Sequence, residues 1–210
     1  MGPLLQKINS PADIKKLSVH QLDSLAQELR EYIVEVVSNN GGHLGAALGS
    51  VDLTLALHYC FTTPKDTIVW DVGHQAHAHK ILTGRKEAFK TFRLHGGLSG
   101  FSNKHESEHD PFTTGHGGTS ISTSLGIAVG NRLLADQNKK VIAVIGDASL
   151  VSGMAFEALN HAGHLKNNLI VILNDNEMSI SPTVGALSRH LNRIISNPFY
   201  NHVRDDIEDF

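Results

Sequence analysis

The stretch "VIAVIGDASL" runs five apolar residues from Val141 into Gly146 and then a carboxylate, Asp147. An acid at the mouth of a buried strand, just before a helix-forming stretch, has two readings. It can cap the helix, because Asp is a preferred N-terminal residue. It can also hold a cation against an anion that the first-turn N–H groups collect. The next apolar run, "NNLIVILNDNE", carries Asn176 beyond its end, 29 positions after Asp147. A carboxylate and an amide oxygen at neighbouring strand ends, completed by phosphate oxygens, suit Mg2+. That ion prefers hard oxygen ligands and takes few of them from protein. The joint spacing favours a metal–diphosphate site over a simple cap.

Three histidines stand beside glycines: His43 in "NNGGHLGAALG", His74 in "WDVGHQ" and His116 in "TTGHGGTS". Glycine lets the backbone approach a ligand closely, and imidazole can donate, accept or carry a proton near neutral pH. A single His in a turn is more often structural. Three at Gly-flanked turns in one domain are candidates for chemistry. His74, His77 and His79 crowd together in "GHQAHAHK", with His105 and His109 further on, but no Cys-x-x-Cys or His-Glu-x-x-His spacing occurs, so zinc is disfavoured. The Gly-rich "GGLSGF" and "GHGGTS" match neither a Walker sequence nor a dinucleotide fingerprint, which disfavours ATP and NAD. Cys60 lies among apolar residues on a helical pattern and reads as core. No Ser sits in a nucleophile-elbow pattern.

The elements that must position these residues alternate. "SVHQLDSLAQELREYIVEVVSNNGGH" places Leu22, Leu25, Leu29, Ile33 and Val36 at helical spacing and ends at Asn39-Asn40-Gly41-Gly42. "SVDLTLALHYCF" reads as a helix capped by Ser50 and ending before Pro64. "DTIVWDVG", "KKVIAVIGD" and "NNLIVILNDNE" read as buried strands, and "TSISTSLGIAVGNRLLA" and "SGMAFEALNHAGHL" as helices between them. Leu94 to Gly118 has little periodicity and many Gly, Ser and His, as a long functional loop would. The alternation predicts an α/β fold, a parallel sheet with helices on both faces. Ligands bind such sheets beyond the carboxyl ends of the strands. The turns after Asp71, Asp147 and Asn174 are therefore expected on one rim.

Composition bounds the class. The chain has 210 residues, 40% hydrophobic content and a formal net charge of −3, which supplies no electrostatic case for nucleic acid. No apolar run has the length of a membrane span, and the N-terminus lacks an apolar signal core. The Met-Gly start has Gln6 where a myristoylation signal has Ser or Thr. One cysteine excludes an internal disulfide and fits a reducing, cytoplasmic setting. "YNHVRDDIEDF" reads as an amphipathic helix still in progress at Phe210, so the chain is expected to be a piece of a longer protein.

Asp147 with Asn176 resembles the diphosphate motif of thiamine diphosphate enzymes. The longer strings "WDVGHQAHAHKILTGR", "GGLSGF", "ESEHDPFTTGHGGTSIS", "GMAFEALNHAG" and "VILNDNEMSISPTVGALS" resemble the N-terminal domain of the 1-deoxy-D-xylulose-5-phosphate synthases, relatives of transketolase, from about Leu17 onward. The resemblance implies a thiamine diphosphate-binding fold over residues 1–210, with pyrimidine-binding and C-terminal domains outside this chain. It implies the decarboxylative joining of pyruvate to glyceraldehyde 3-phosphate, in isoprenoid, thiamine and pyridoxal synthesis, by a homodimer. By the same resemblance Asp147, Asn176 and the Met178 carbonyl bind Mg2+. Ala148 and Ser149 present N–H groups to the diphosphate, and His74 with Gly115, His116 and Gly117 contacts the cofactor. His43, His74 and His116 serve the proton transfers.

The sequence departs from the family at Ala148, where Gly is usual, at Gly117 and Gly118, where two Ser are usual, and at His77 and Ala78, where Tyr and Pro are common. These departures, and the absence of the ring-activating Glu from this chain, leave two other expectations open: a non-catalytic cofactor-binding remnant, or one half of a split transketolase-type enzyme.

Overall fold

A computed structural model describes residues 1–136 and 138–175, together with 186 and 193. The chain divides into two units, Met1–Met178 and Ser179–Phe210, and the helices and strands from Pro3 to Asn174 belong to the first. Asn176 and Met178 lie outside the described residues.

Two short helices, α1 (Pro3–Lys7) and α2 (Pro11–Ile14), precede α3 (Val19–Asn40). In α3 the Ser18 side chain accepts from Gln21 N while the Gln21 side chain reaches back to the Ser18 backbone, so the first turn is capped reciprocally. Gly41, at φ +80°, stops it. The stripe read from the sequence is the buried one: Leu25, Leu29 and Ile33 are fully enclosed, each contributing roughly 1.5–3 kcal/mol by leaving water. Lys86 Nζ donates to the carbonyls of Gln6 (2.6 Å) and Ile8 (2.7 Å), tying the N-terminal segment to the body.

Helices α4 (Gly45–Gly49) and α5 (Val51–Cys60) lead to β1 (Thr67–Trp70); α6 (His77–Lys80) then runs into a wide turn over Ile81–Arg85, in which Thr83 and Gly84 leave helical conformation. A 3-10 turn, Ala88–Thr91, precedes the long loop, whose described residues from Leu94 to Gly118 form only turns and bends. Then come α7 (Ser120–Leu133), β2 (Val141–Gly146), α8 (Asp147–Leu150), α9 (Gly153–Leu165) and β3 (Leu169–Asn174).

Among the described residues the sheet is parallel in the order β1-β2-β3. Its register pairs Trp70 with Val144 and Gly146 with Asn174, so all three strands finish on one rim, as the alternation predicts. Leu57 of α5 packs with Ile68, Trp70, Ile142 and Val144 on one face. Helices α7 and α9 pack against each other, and α7 lies against all three strands.

Two local readings are corrected. The Ser50 hydroxyl does not cap α5; it donates to the carbonyls of Ala47 (3.0 Å) and Gln75 (2.8 Å). Ser50 is wholly buried, so its one proton goes to nearby carbonyls rather than its oxygen to the helix. Cys60 is exposed, not core; it is the last residue of α5.

Candidate functional site

The rim carries a cleft of about 120 Å3. Asp147, Ala148 and Ser149 line one side, Asp71, His74 and Gln75 another, with Ala46, Gly146 and Asn174 completing the wall. The register explains the grouping: β2 stops at Gly146 and turns directly into α8, while β1 stops two register positions earlier and leaves room for the Asp71–Gln75 turn. The first-turn N–H groups of α8 have no acceptor within their helix.

Asp71 is the residue that sequence reasoning did not assign. It is 1% exposed. Its Oδ2 accepts from Gly118 N at 2.8 Å, and its Oδ1 accepts from Thr119 N at 3.1 Å and Ser120 N at 3.2 Å. Helix α7 has no side-chain cap of its own at Thr119. Asp71 therefore supplies the cap from 47 to 49 residues away, fixing the Gly-rich turn to the end of β1. The positive end of a 14-residue helix suits a carboxylate there. Val72 and Gly73 follow at φ +59° and +88°. Such a conformation in a β-branched residue is strained and characteristic of functional turns. A Cβ on Gly73 would meet Thr114 Oγ1 at 2.3 Å and Ser102 N at 2.9 Å, so the long loop lies directly on this turn.

His74 is half-buried and touches His43 edge-on, with ring centroids 5.2 Å apart. Burial lowers its pKa, nearby His43 pushes the same way, and Asp71 opposes them. His74 is thus a neutral imidazole at pH 7, and its Nδ1 is buried with no hydrogen-bond partner. His43 is exposed on the Gly41-Gly42 turn. The structure so brings together Asp147, Ala148, Ser149, His74 and His43. Gly117 adjoins them, since a Cβ there would stand 3.1 Å from Ser149 Oγ. Gly115 and His116 lie on the exposed tip of the same turn, outside the cleft lining.

The three sequence departures have different consequences. Ala148 sits in α8 with no left-handed backbone, so a side chain there carries no conformational strain. Gly118 has φ +78°, and a Cβ on it would lie 2.0 Å from Ser152 Oγ. Gly118→Ser is expected to cost about 2–4 kcal/mol through backbone strain and overpacking, while Gly117→Ser stays within about 1 kcal/mol. Adding Ser152→Ala to Gly118→Ser recovers part of the loss by removing the clash. Urea unfolding of the four chains measures this, and a Gly118→Ser chain as stable as wild type contradicts it. At the third departure His77 is 1% exposed and lies against Phe92 at 4.5 Å and Phe89 at 5.8 Å. Ala78 is fully buried.

A buried polar network joins α5, α6 and the long loop. Asp110 accepts from Arg85 (2.6 Å), from Asn103 N (3.1 Å) and from His79 Nε2 (2.9 Å). A carboxylate only accepts, so His79 carries its proton on Nε2 and offers Nδ1 to His58 Nε2–H at 2.9 Å. Glu106 pairs with Lys80 and, at 3.4 Å, with Arg85, and it accepts from Ser99 N at 2.7 Å. Two cations and two anions balance, which is the condition for burying them. Burial alone would push Asp110 up, but hydrogen bonds from His79 and Arg85 outweigh it and hold the carboxyl well below its usual range. His79 thus spends both ring nitrogens within the network, and His109 Nδ1 lies 2.8 Å from Thr63 Oγ1. Among the described residues no group of three or more His, Cys, Asp or Glu is placed to hold a metal ion.

The family model for 1-deoxy-D-xylulose-5-phosphate synthase matches residues 5–210. The curated 1-deoxy-D-xylulose-5-phosphate synthase of Carboxydothermus hydrogenoformans is 60% identical over 208 residues, 99% of this chain and 33% of that protein. The synthase of Halothermothrix orenii is 56% identical over 208 residues, 99% of this chain and 32% of that protein. The synthase of Anaeromyxobacter sp. strain K is 52% identical over 210 residues, all of this chain and 33% of that protein. The chain spans about a third of the length of these relatives.

Proposed function

The chain belongs to the 1-deoxy-D-xylulose-5-phosphate synthase family, and from that premise we propose that it is the part of such a synthase that holds the diphosphate of thiamine diphosphate with its Mg2+. The observation that carries the proposal is the cleft at the strand ends, where Asp147, His74 and the first turn of α8 converge. The donor set fits the group. Ala148 and Ser149 offer backbone N–H groups, Asp147 offers hard oxygen for a metal, and the unpartnered His74 Nδ1 leaves a buried polar atom at the cleft. Asn176 and Met178 complete the proposed metal shell, and Gly115, His116 and Gly117 the proposed cofactor turn.

The proposed reaction of the longer protein is the condensation of pyruvate with glyceraldehyde 3-phosphate, with loss of CO2, to 1-deoxyxylulose 5-phosphate. It serves isoprenoid synthesis and also thiamine and pyridoxal synthesis. Thiamine diphosphate, when bound, supplies the carbon nucleophile and the electron sink that decarboxylation requires. This chain's own residues bind and orient. Asp147 would offer its carboxylate to the metal, and Asp71 holds the Gly115–Ser120 turn in place through three N–H groups. His74 stays uncharged, so it can hydrogen-bond an anionic ligand without competing with the metal for charge. His43, His74 and His116 are the proposed proton carriers.

Residues 1–210 are proposed as one diphosphate-binding domain of a cytoplasmic homodimer, whose pyrimidine-binding and C-terminal domains lie outside them. The share of the relatives' length that the chain spans, about a third, supports only the part of this reading that concerns further domains. The 210-residue chain by itself is expected to turn over no substrate. Calorimetry of thiamine diphosphate with Mg2+ tests the site: wild type binds, and Asp147→Ala binds at least tenfold more weakly, on the order of a lost charge-assisted contact. Equal binding by both removes Asp147 from the site.

A further inference from the structure

A pocket of about 220 Å3 lies at the opposite end of the sheet from the cleft. Asn131 and Arg132 near the end of α7, Asp136 and Lys139 on the connection to β2, and Lys166 and Asn167 between α9 and β3 line it. Strand β2 begins at Val141 beside Leu169 and ends at Gly146 beside Asn174, so a six-residue strand, roughly 20 Å, separates pocket and cleft. Three side-chain atoms of the lining are closed off from solvent with no hydrogen-bond partner: Asn131 Nδ2, Asn167 Nδ2 and Asn167 Oδ1. Lys139 pairs with Asp136 at 2.9 Å, whereas Arg132 and Lys166 form no ion pair among the described residues. Helix C-termini attract cations, and Arg132 does donate to the Leu165 carbonyl at 3.5 Å. That effect accounts for the positive charge. It does not account for the amides, which carry no charge and cost stability while unmet. Nor does it account for the backbone of Lys166, which caps α9 at φ +51°, a left-handed position that Gly ordinarily fills.

We infer that this pocket is a second binding site, for a small phosphate monoester that also carries a hydroxyl. Charge selects the phosphate. Three cations stand against one acid in the lining, and a phosphate monoester brings close to two negative charges at pH 7 where a carboxylate brings one. The amides agree. The two Nδ2 groups are donors without acceptors, and phosphate oxygens accept. Asn167 Oδ1 is an acceptor without a donor, which a phosphate dianion cannot supply and a hydroxyl can. Both ends of the Asn167 amide are unmet, so turning it over leaves the same requirement. The volume falls below the roughly 300–1,000 Å3 of sites for drug-sized ligands, so the occupant is small. This site stands whether or not the cleft takes a diphosphate.

The test compares wild type, Lys166→Gly, Asn167→Leu and Asp147→Ala as full chains. Calorimetry at pH 7 without divalent metal uses glycerol 3-phosphate, methyl phosphate and glycerol as probes, and thermal unfolding is followed without ligand. Wild type and Asp147→Ala are expected to bind glycerol 3-phosphate equally. Lys166→Gly and Asn167→Leu are expected to bind it about tenfold more weakly, the effect of one lost contact to a charged group. Methyl phosphate should bind wild type more weakly than glycerol 3-phosphate, and glycerol not at all. Without ligand both variants should melt at or above the wild-type temperature, Lys166→Gly because strain is relieved and Asn167→Leu because an unmet amide has gone. Wild-type affinity in either variant overturns the site, and ordered water would then be the partner of the amides. A loss shared by Asp147→Ala also overturns it, because the probe would lie in the cleft. Equal binding of methyl phosphate and glycerol 3-phosphate overturns the hydroxyl, and failure of wild type to bind either phosphate overturns the inference outright.

Discussion

Replacing Asp71 by alanine is expected to cost about 3–5 kcal/mol of stability and to abolish ligand binding at the cleft. The carboxylate is the acceptor for Gly118, Thr119 and Ser120 N–H. The Gly118 and Ser120 bonds are buried and the Thr119 bond partly so. Each buried donor left unmet costs about 1–3 kcal/mol, and α7 has no other cap. Because the same three donors anchor the Gly-rich turn, its position against Ser149 goes with them. Asp71→Asn keeps one acceptor oxygen and should fall between the two. Guanidinium unfolding measures the loss. An Asp71→Ala chain within about 1 kcal/mol of wild type, a typical surface-substitution effect, contradicts the anchoring role.

Acid should unfold the protein well before its carboxylates titrate. His58, His77 and His79 are all buried and all held neutral, His77 down to about 3. Desolvation is the first cause in each, and nearby histidines and cations add to it for His58 and His77; in His79 it prevails over Asp110. A lowered folded pKa means that the unfolded chain binds more protons below its ordinary value near 6.5. Stability from these groups is complete above that value and declines as pH falls toward the folded one. At pH 5 His77 alone accounts for about 2 kcal/mol, and His58 and His79 act in the same direction. Asp110, whose pKa is also lowered, keeps its contribution until the pH drops below the usual carboxylate range. The loss between pH 7 and pH 5 therefore belongs to the histidines. Denaturant unfolding at the two pH values measures it. His77→Phe, placed among Phe89 and Phe92, should remove about 2 kcal/mol of the difference. Stability unchanged from pH 7 to pH 5 contradicts the account.

The fold was legible because its signals are local. Leu25, Leu29 and Ile33 recur within one helix, and the strands are short β-branched runs bounded by turn residues. The placing of Asp147 and His74 on one rim was legible for the same reason: each follows a strand end, and parallel topology sends strand ends to one rim; Ala148 and Ser149 rested on the family resemblance alone. The supporting groups were not. Asp71 serves N–H groups 47 to 49 residues away, and Asp110 serves Arg85 and His79 from 25 and 31 residues away. No periodicity connects such pairs. One signal was available for Asp71: the Ser/Thr-rich start of α7 follows a Gly-Gly pair and needs an acceptor that its own turn lacks. The helix read over "SGMAFEALNHAGHL" is α9 with its cap Ser152, while the separate short turn α8 before it is what the apolar spacing does not reveal. Ser152, the cap of α9, is also the residue that leaves no room for a side chain at 118.

If the rim of β1, β2 and β3 holds a divalent cation together with a diphosphate, electron paramagnetic resonance of Mn2+, used in place of Mg2+, tests it most directly. With wild type, free Mn2+ signal should fall on titration with the chain, fall much further when thiamine diphosphate or pyrophosphate is present, and recover in Asp147→Ala. Mn2+ bound equally well by wild type and Asp147→Ala, with no help from the diphosphate, would contradict it.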